Sequence, residues 1–310
     1  MTANSSPEKI TCGFVALVGP PNAGKSTLLN NLLGQKISIV SPKPQTTRNR
    51  VLGVFNQPER QIVFLDTPGL HQARSRLNSE MVKIARNTLN EVDAVAYMID
   101  VSSPEADSRP EQRQQAGRLL ARTNLPTLLL CNKIDRVDKA KLLPIIAAWQ
   151  EVYPFAAIIP LSALNGDGQE TLLDELSKLL PRGPRLFPED IPTDASERFI
   201  CGEIIREKIM LLTRDELPYS TAVMIDRFRE EPGGGTPLTT IDATILVEKN
   251  SQKGIVIGNR GQMLKQIGQS ARREIEAMLG TKVLLKLWVK VQKNWTGNLR
   301  VLRELGIQED

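Results

Sequence analysis

The sequence predicts two joined domains: an α/β domain with a mostly parallel sheet, followed by a smaller α+β domain. The length of 310 residues is about two domains' worth at roughly 100 to 200 residues each. From Phe14 to Leu180 short apolar runs alternate with helix-length amphipathic segments, as βα units building a parallel sheet should. A proline-rich stretch then intervenes, and the pattern changes. With 41 % apolar and 24 % charged residues, the composition is that of a globular protein and excludes a mainly disordered or fibrous chain.

In order, FVALVG, QIVFLD, AVAYMIDV, TLLLCNK and AIIPLS read as buried strands, because short runs this apolar suit parallel strands covered on both faces. Lys25 to Leu33, Ser79 to Glu91, Glu111 to Thr123, Lys141 to Glu151 and Glu170 to Leu180 read as the helices between or after them. Only VLGVFN, residues 51–56, lacks a preceding helix, so it is expected as an antiparallel edge strand. Pro181, Pro184, Pro188 and Pro192 then fall within twelve residues, which forbids a continuous helix and favours an extended, semi-rigid connector. Beyond it come a helix (Glu197 to Leu212), a strand (Tyr219 to Arg229), a Gly233-Gly234-Gly235 loop and a strand (Thr240 to Lys249). A short helix, a turn, a long helix (Gln262 to Leu279) and a strand (Val283 to Gln292) complete the order αββααβ, with a short helix near Leu299 to Leu305. The expected boundaries are a flexible segment 1–11, a first domain 12–181, a linker 182–193, a second domain 194–296 and a terminal helix and tail 297–310.

The N-terminal MTANSSPEKITCGF lacks the apolar core of a secretory signal, and the most apolar windows are strand-length, far below the roughly 18 residues of a spanning helix. Cys12, Cys131 and Cys201 are odd in number and scattered, so neither a disulfide framework nor a zinc site is supported, and a reducing cytoplasm fits. The net charge of +5 is weak evidence, but its distribution says more. Between Lys249 and Arg303 twelve Lys and Arg face only Glu274 and Glu276, a local +10, while the other 255 residues sum to −5. A polyanion-binding surface or a solvated helix face is therefore confined to the C-terminal part.

Strand FVALVG runs into Gly19, Pro20, Pro21, Asn22, Ala23, Gly24, Lys25, Ser26 and Thr27 and then a helix, the G-x-x-x-x-G-K-[ST] phosphate loop in its strand–turn–helix setting. Its glycines let backbone NH groups close on phosphate oxygens, Lys25 can reach the β and γ phosphates, and Ser26 can ligand Mg2+. Asp66 ends strand QIVFLD and opens Asp66-Thr67-Pro68-Gly69, putting a carboxylate beside the metal and a glycine NH toward a γ phosphate. Asn132, Lys133 and Asp135 follow strand TLLLC. A carboxylate at Asp135 accepts from both the N1–H and the 2-amino group of guanine, whereas adenine offers an acceptor at N1 and lacks that amine. This selects GTP over ATP and argues against an ATPase or kinase. Ser162, Ala163 and Leu164, after the last strand, supply a backbone contact to the guanine O6.

These four elements, in this order on alternate strands, resemble the translation-factor-like class of small GTPases over residues 12–180. The resemblance implies that a threonine in the loop before the edge strand closes on Mg2+ and the γ phosphate. Thr46 and Thr47 both stand there, with Thr47 favoured. The Mg2+ ligands are then Ser26, Thr47 and Asp66, and the catalytic set is Lys25, Thr46, Thr47 and Gly69. Where Ras-like enzymes carry a water-orienting glutamine this chain has Leu70, so intrinsic hydrolysis is expected to be slow. Asn22 matches a pattern associated with K+ coordination; alternatively it hydrogen-bonds the loop backbone. His71, the sole histidine, is assigned no role.

Farther on, Val256-Ile257-Gly258-Asn259-Arg260-Gly261 lies between a short and a long helix inside the cationic stretch, and this resembles a type II KH domain. Its glycines let the backbone approach a nucleic-acid strand, a clamp for about four nucleotides. Ile257, Gly258, Asn259, Arg260 and Gly261 with Lys265, Arg272, Lys286 and Lys290 form the expected RNA-binding set, and Lys253, Arg273 and Lys293 are further phosphate candidates or a solvated face. Ile255, Met263, Leu264 and Ile267 line the groove or pack the core. Trp288 and Trp295 could stack bases; Trp288, alternating within a strand, is expected as a buried anchor and Trp295 as the more open.

A GTPase followed by a type II KH domain, with Gln45-Thr46-Thr47-Arg48 and Leu70, is similar to the bacterial Era family. That resemblance implies Mg2+-dependent GTP hydrolysis, binding of the 3′ end of 16S ribosomal RNA, and a role in 30S ribosomal subunit assembly and rRNA maturation. It also implies a cytoplasmic monomer with some peripheral association with the inner membrane, in which closure of the loops around Thr46, Thr47 and Gly69 changes how the KH groove meets RNA.

Overall fold

A computed structural model describes residues 9–69, 75–103, 110–214, 217–231 and 238–307. Residues 1–8, Leu70, His71 and the Gly233-Gly234-Gly235 loop lie outside the described residues. The chain divides into two compact units. The first comprises Met1–Ser38, Thr47–Gln72 and Val82–Asp194, the second Ile39–Thr46, Ala73–Met81 and Ala195–Asp310.

In the first unit, β1 (Ile10–Val18), β2 (Val51–Gln57), β3 (Arg60–Asp66), β4 (Ala94–Asp100), β5 (Thr127–Asn132) and β6 (Ala157–Leu161) form one sheet in the order β2-β3-β1-β4-β5-β6. Every pairing along it is parallel except β2 with β3. The antiparallel edge follows from the connection: only Pro58 and Glu59 join β2 to β3, too few residues for the crossover a parallel pair needs. Val15, Ala16, Leu17 and Val18 of β1 are wholly buried, as a central parallel strand covered by helices must be. The helices are α1 (Lys25–Leu33), α2 (Arg76–Thr88), α3 (Pro110–Ala121), α4 (Lys139–Gln150) and α5 (Gln169–Leu179). Helix α2 starts three residues before the expected Ser79 because Ser75 caps it: its Oγ accepts from Asn78 N at 3.2 Å, satisfying an otherwise orphaned donor.

The proline-rich stretch is not a free connector. Its first residues form β7 (Arg182–Gly183), antiparallel to β1. The Gln61 Oε1 atom accepts from Leu186 N at 2.6 Å and Phe187 N at 3.0 Å, and the Phe187 ring meets Phe14 edge-on at 6.5 Å. Farther along, Pro192 O accepts from Val54 N at 2.8 Å and Thr193 Oγ1 donates to Leu52 O at 2.6 Å. Prolines keep the segment extended, and strands β1, β3 and β2 supply its hydrogen bonds, so residues 182–194 belong to the first unit.

The second unit contains α6 (Glu197–Leu212), β8 (Ala222–Glu231), β9 (Leu238–Val247), α7 (Asn250–Ile257), α8 (Gln262–Leu279), β10 (Lys282–Val291) and α9 (Leu299–Glu304). Strand β8 begins at Ala222 rather than Tyr219 because Leu217–Tyr219 forms a 3-10 turn. The sheet order is β10-β9-β8, β10 parallel and β8 antiparallel to β9. Ile204, Ile205, Ile209, Ile245, Ile267 and Ile275 meet in the core between this sheet and the helices. A separate cluster joins Leu77, Met81, Ala222, Leu246, Trp295 and Leu302. Trp295 is fully buried there and its Nε1 donates to Ser220 O at 3.0 Å, whereas Trp288 is 49 % exposed. This reverses the expectation for the two tryptophans: strand alternation gave Trp288 a side of the sheet but not which side is covered. Burial holds the thiols of Cys131 and Cys201 protonated, pushed up to about 12. No helix among the described residues is long and apolar enough to cross a membrane.

Candidate functional site

The phosphate loop joins β1 to α1. Lys25 is buried, and its Nζ donates to Gly19 O at 3.2 Å and Pro20 O at 3.0 Å, so the ammonium is held over the loop. Asn22 takes a left-handed backbone at φ 62. Asp66, at the end of the neighbouring strand β3, is wholly buried. Its Oδ2 accepts from Ser26 Oγ at 2.6 Å and Ser38 Oγ at 2.9 Å, and the Ser26 and Thr47 hydroxyls lie 2.9 Å apart. Ser26, Thr47 and Asp66, expected as metal ligands, are therefore in one cluster. Asp66 Oδ1 is buried without a hydrogen-bond partner. Leaving it so costs about 1–3 kcal/mol or more for a charged group, a cost that a cation bound at these oxygens would offset, so the donor set fits a hard divalent ion. Burial pushes the Asp66 carboxyl up, opposed by the Lys25 charge, the Ser26 and Ser38 hydroxyls and the Thr67 backbone. Thr67 Oγ1 donates to Leu17 O at 2.9 Å. Pro68 is buried beside it, and a Cβ on Gly69 would come within 2.8 Å of Pro21 N, so only glycine lets this turn lie against the phosphate loop.

The residues expected to select guanine are locked to the same loop. Asn132 Nδ2 donates to Ala23 O at 2.6 Å, and its Oδ1 accepts from Ala163 N at 2.8 Å, so one side chain ties two loops together. Lys133 Nζ pairs with Asp100, and Asp135 Oδ1 accepts from Ser162 Oγ at 2.6 Å. Asn31 Nδ2 reaches Ala163 O at 3.0 Å and Leu164 O at 3.1 Å. Ser38, Asn31 and Asp100 are site residues that sequence reasoning missed, since each lies outside a motif and acts only through tertiary contact.

Thr46 falls in the second unit. Its hydroxyl donates to Lys43 O at 2.7 Å and lies 2.7 Å from Ser41 Oγ, and its carbonyl accepts from Arg206 Nη2. Arg206 is almost wholly buried and also donates from Nε to Glu203 Oε1 at 2.7 Å. Glu207 Oε1 accepts from Val40 N at 2.9 Å. Helix α6 thus holds the segment Ile39–Thr46 by two charged side chains, and no motif announces them.

In the turn between α7 and α8, Gly258 has φ 71 and a Cβ there would sit 2.6 Å from Met263 Cβ. Asn259, Arg260, Lys265 and Arg272 are exposed, Ile257 and Gly261 partly so. Ile267 is buried, Met263 and Leu264 pack against the core, and Ile255 is exposed. Lys286 and Lys290 are exposed but do not join this group. Leu285, Leu287 and Val289, alternating with them, pack into the core with α8, so both lysines lie on the opposite face of the sheet.

Two family models match the chain: a 50S ribosome-binding GTPase over residues 14–133 and a KH domain over residues 216–296. The GTPase Era of Geobacter metallireducens is 53 % identical over 295 residues, 95 % of this chain and 97 % of that protein; that of Geotalea uraniireducens is 52 % identical over 96 % and 97 %. Among solved structures, a variant of Aquifex aeolicus Era bound to GDP and aluminium tetrafluoride matches at TM-score 0.91 and 43 % identity, over 97 % of this chain and all of that one. Era in complex with MgGDPNP and nucleotides 1506–1542 of 16S ribosomal RNA matches at the same TM-score, identity and coverage. Identity of this order from end to end, over a nucleotide unit and a KH unit in the same succession, means that the chain belongs to the GTPase Era family.

Proposed function

We propose that the chain binds GTP with Mg2+ in its first unit, hydrolyses it slowly to GDP and phosphate, and grips the 3′ end of 16S rRNA with the KH unit during 30S assembly and rRNA maturation. The observation that carries the nucleotide half is the cluster of Ser26, Thr47 and buried Asp66 with its unpartnered Oδ1. Mg2+ held there would neutralise charge on the β and γ phosphates. Backbone NH groups of residues 22–27 would cradle the phosphates, Lys25 would leave the Gly19 and Pro20 carbonyls for them, and the Gly69 NH would meet the γ phosphate. Asp135, steadied by Ser162, would read guanine. Thr47 rather than Thr46 fits as the loop ligand, because the Thr46 hydroxyl is already engaged with Ser41 and Lys43. Leu70 offers no polar atom to orient water, consistent with a slow reaction. A K+ ion beside Asn22 would raise the rate by supplying positive charge.

The RNA half rests on the exposed Gly258–Gly261 turn in the cationic segment and on the rRNA complex of the related Era protein. A cytoplasmic monomer with peripheral inner-membrane contact completes the reading. Titration of GTP, GDP and ATP, phosphate release in KCl and in NaCl, and binding of a 16S 3′ fragment test it. Equal uptake of ATP and GTP, or indifference to the fragment in every nucleotide state, would refute it.

A further inference from the structure

The sheet of the second unit has two faces, one packed against helices along its length and the other covered at one end. On the inner face Val283, Leu285, Leu287 and Val289 of β10 enter the core with α8. On the outer face, Ala222, Met224 and Leu246 at one end are covered by the Trp295 and Leu302 cluster. Along β10 that face is open among the described residues: Lys282, Leu284, Lys286, Trp288 and Lys290 are all exposed, with Leu284 at 44 % and Trp288 at 49 %. Strand register places Thr240, Asp242 and Thr244 of β9 beside Leu284, Lys286 and Trp288, and Arg229 and Arg227 of β8 beyond them.

Among the described residues Trp288 is the one exposed aromatic side chain. An indole buries a large apolar area when covered, so leaving one open next to Leu284 marks a surface with a partner. Charge identifies the partner. Asp242 is met by Arg227 at 3.6 Å, and the Asp226 carboxylate accepts from Thr244 Oγ1 at 2.7 Å. Lys282, Lys286 and Lys290 have no carboxylate partner among the described residues. With about 3.3 Å of rise per residue, Lys286 and Lys290 stand about 13 Å apart with Trp288 midway. A cation on either side of an open ring suits a nucleotide strand, its base on the ring and its phosphates on the cations. Protein interfaces instead deplete lysine from their centres.

We propose that this outer face is a second RNA-binding surface, separate from the Gly258–Gly261 turn, on which an unpaired base stacks on Trp288 while flanking phosphates meet Lys286 and Lys290. Strand β10 is the sheet edge and packs against both α7 and α8. A strand leaving the turn can therefore pass over that edge to the outer face. The inference rests on the proposed binding of RNA by this unit and extends it to a surface turned away from the motif.

Trp149 and Trp295 are buried to 2 % and 0 % exposure, so acrylamide quenching of tryptophan emission in the full chain reports Trp288, as Trp288→Phe verifies. The probe is an oligoribonucleotide spanning nucleotides 1506–1542 of 16S rRNA, the RNA crystallised with a relative. Saturating RNA is expected to lower the quenching constant several-fold. Trp288→Ala is expected to weaken RNA binding about tenfold with an unchanged melting temperature and unchanged GTP turnover. Lys286→Gln with Lys290→Gln should reduce the slope of log K against log salt by about 1.4, at about 0.7 per phosphate contact to a single strand. Unchanged quenching together with wild-type affinity in Trp288→Ala would overturn the proposal, leaving the turn as the RNA site if Asn259→Asp with Arg260→Asp abolishes binding. Protection of Trp288 by ribosomal proteins but not by RNA would also overturn it. If the wild-type chain ignores the RNA altogether, the RNA-binding reading itself fails.

Discussion

The nucleotide site and the RNA surfaces are built by opposite means. Around the phosphate loop, Asp66 Oδ1 apart, polar side chains are held in place by the protein itself: Asp66 Oδ2 accepts from two hydroxyls, Asn132 ties two loops, and Ser162 steadies Asp135. In the second unit the exposed turn at Gly258 and the outer face of β10 carry cations with few partners. A small, highly charged ligand bound once requires a rigid, desolvated cradle, whose dipoles are aimed before it arrives. A long polyanion is held by many weak, screened contacts that need little fixing. Single substitutions should therefore be drastic in the first unit and graded in the second.

The largest expected effect is at Lys25. Lys25→Ala should lower kcat/KM for GTP by about 10²-fold or more, measured by phosphate release, while nucleotide-free RNA affinity stays within twofold, about 0.4 kcal/mol. Chelation with EDTA sharpens the same contrast: hydrolysis stops and RNA binding in the absence of nucleotide persists. Loss of both on chelation would break it.

Next comes Asp135→Asn, which replaces an acceptor by an amide. GTP affinity should fall about 10- to 150-fold, the worth of a hydrogen bond to a charged group, and xanthosine triphosphate, with a carbonyl where guanine has its amine, should gain. Equal loss of both nucleotides would mean that the side chain holds the loop without reading the base.

Arg206 joins the two styles, being buried like a nucleotide-site residue yet carried by α6. Arg206→Ala strips the Thr46 carbonyl and Glu203 of a donor, so urea unfolding should show a loss of about 1–3 kcal/mol. GTP turnover should drop several-fold as well, because Thr46 directly precedes Thr47. Unaltered turnover would confine Arg206 to stability. At Lys265, exposed on α8, Lys265→Ala should do little beyond reducing the salt slope of RNA binding by about 0.7.

The smallest effect is alkaline. Burial alone would lower the Lys208 ammonium, but hydrogen bonds and charges from Glu207 and Glu274 outweigh it and hold the group above the usual lysine range. Its contribution is full below the unfolded value of about 10.4 and is lost as pH rises through the higher folded value. Urea midpoints should accordingly fall at strongly alkaline pH in the wild type, and less so in Lys208→Met.

Most of the nucleotide site was legible because its parts are contiguous. A strand, a turn and a helix N-terminus place Gly19 to Thr27 together by local geometry, and Asp66 and Asn132 end strands on either side. Ser38, Asn31 and Asp100 were not legible, since a lone polar residue carries no local signature of what it will face. Two adjacent hydroxyls carry no local signal that separates Thr46 from Thr47; only the tertiary structure gives them different neighbours, Ser41 and Lys43 at Thr46 and Ser26 at Thr47.

What the sequence alone determined were the period-bound features: two domains, the βα alternation, the αββααβ order, and the motifs whose residues are neighbours along the chain. Tertiary structure decided everything that depends on which face is covered. It buried Trp295 and opened Trp288, tied the proline-rich residues 181–192 to three strands of the first sheet, and turned Lys286 and Lys290 away from the glycine turn. Periodicity divides a strand into two faces, but the element that packs against one of them comes from distant chain, and only that packing decides which face meets water.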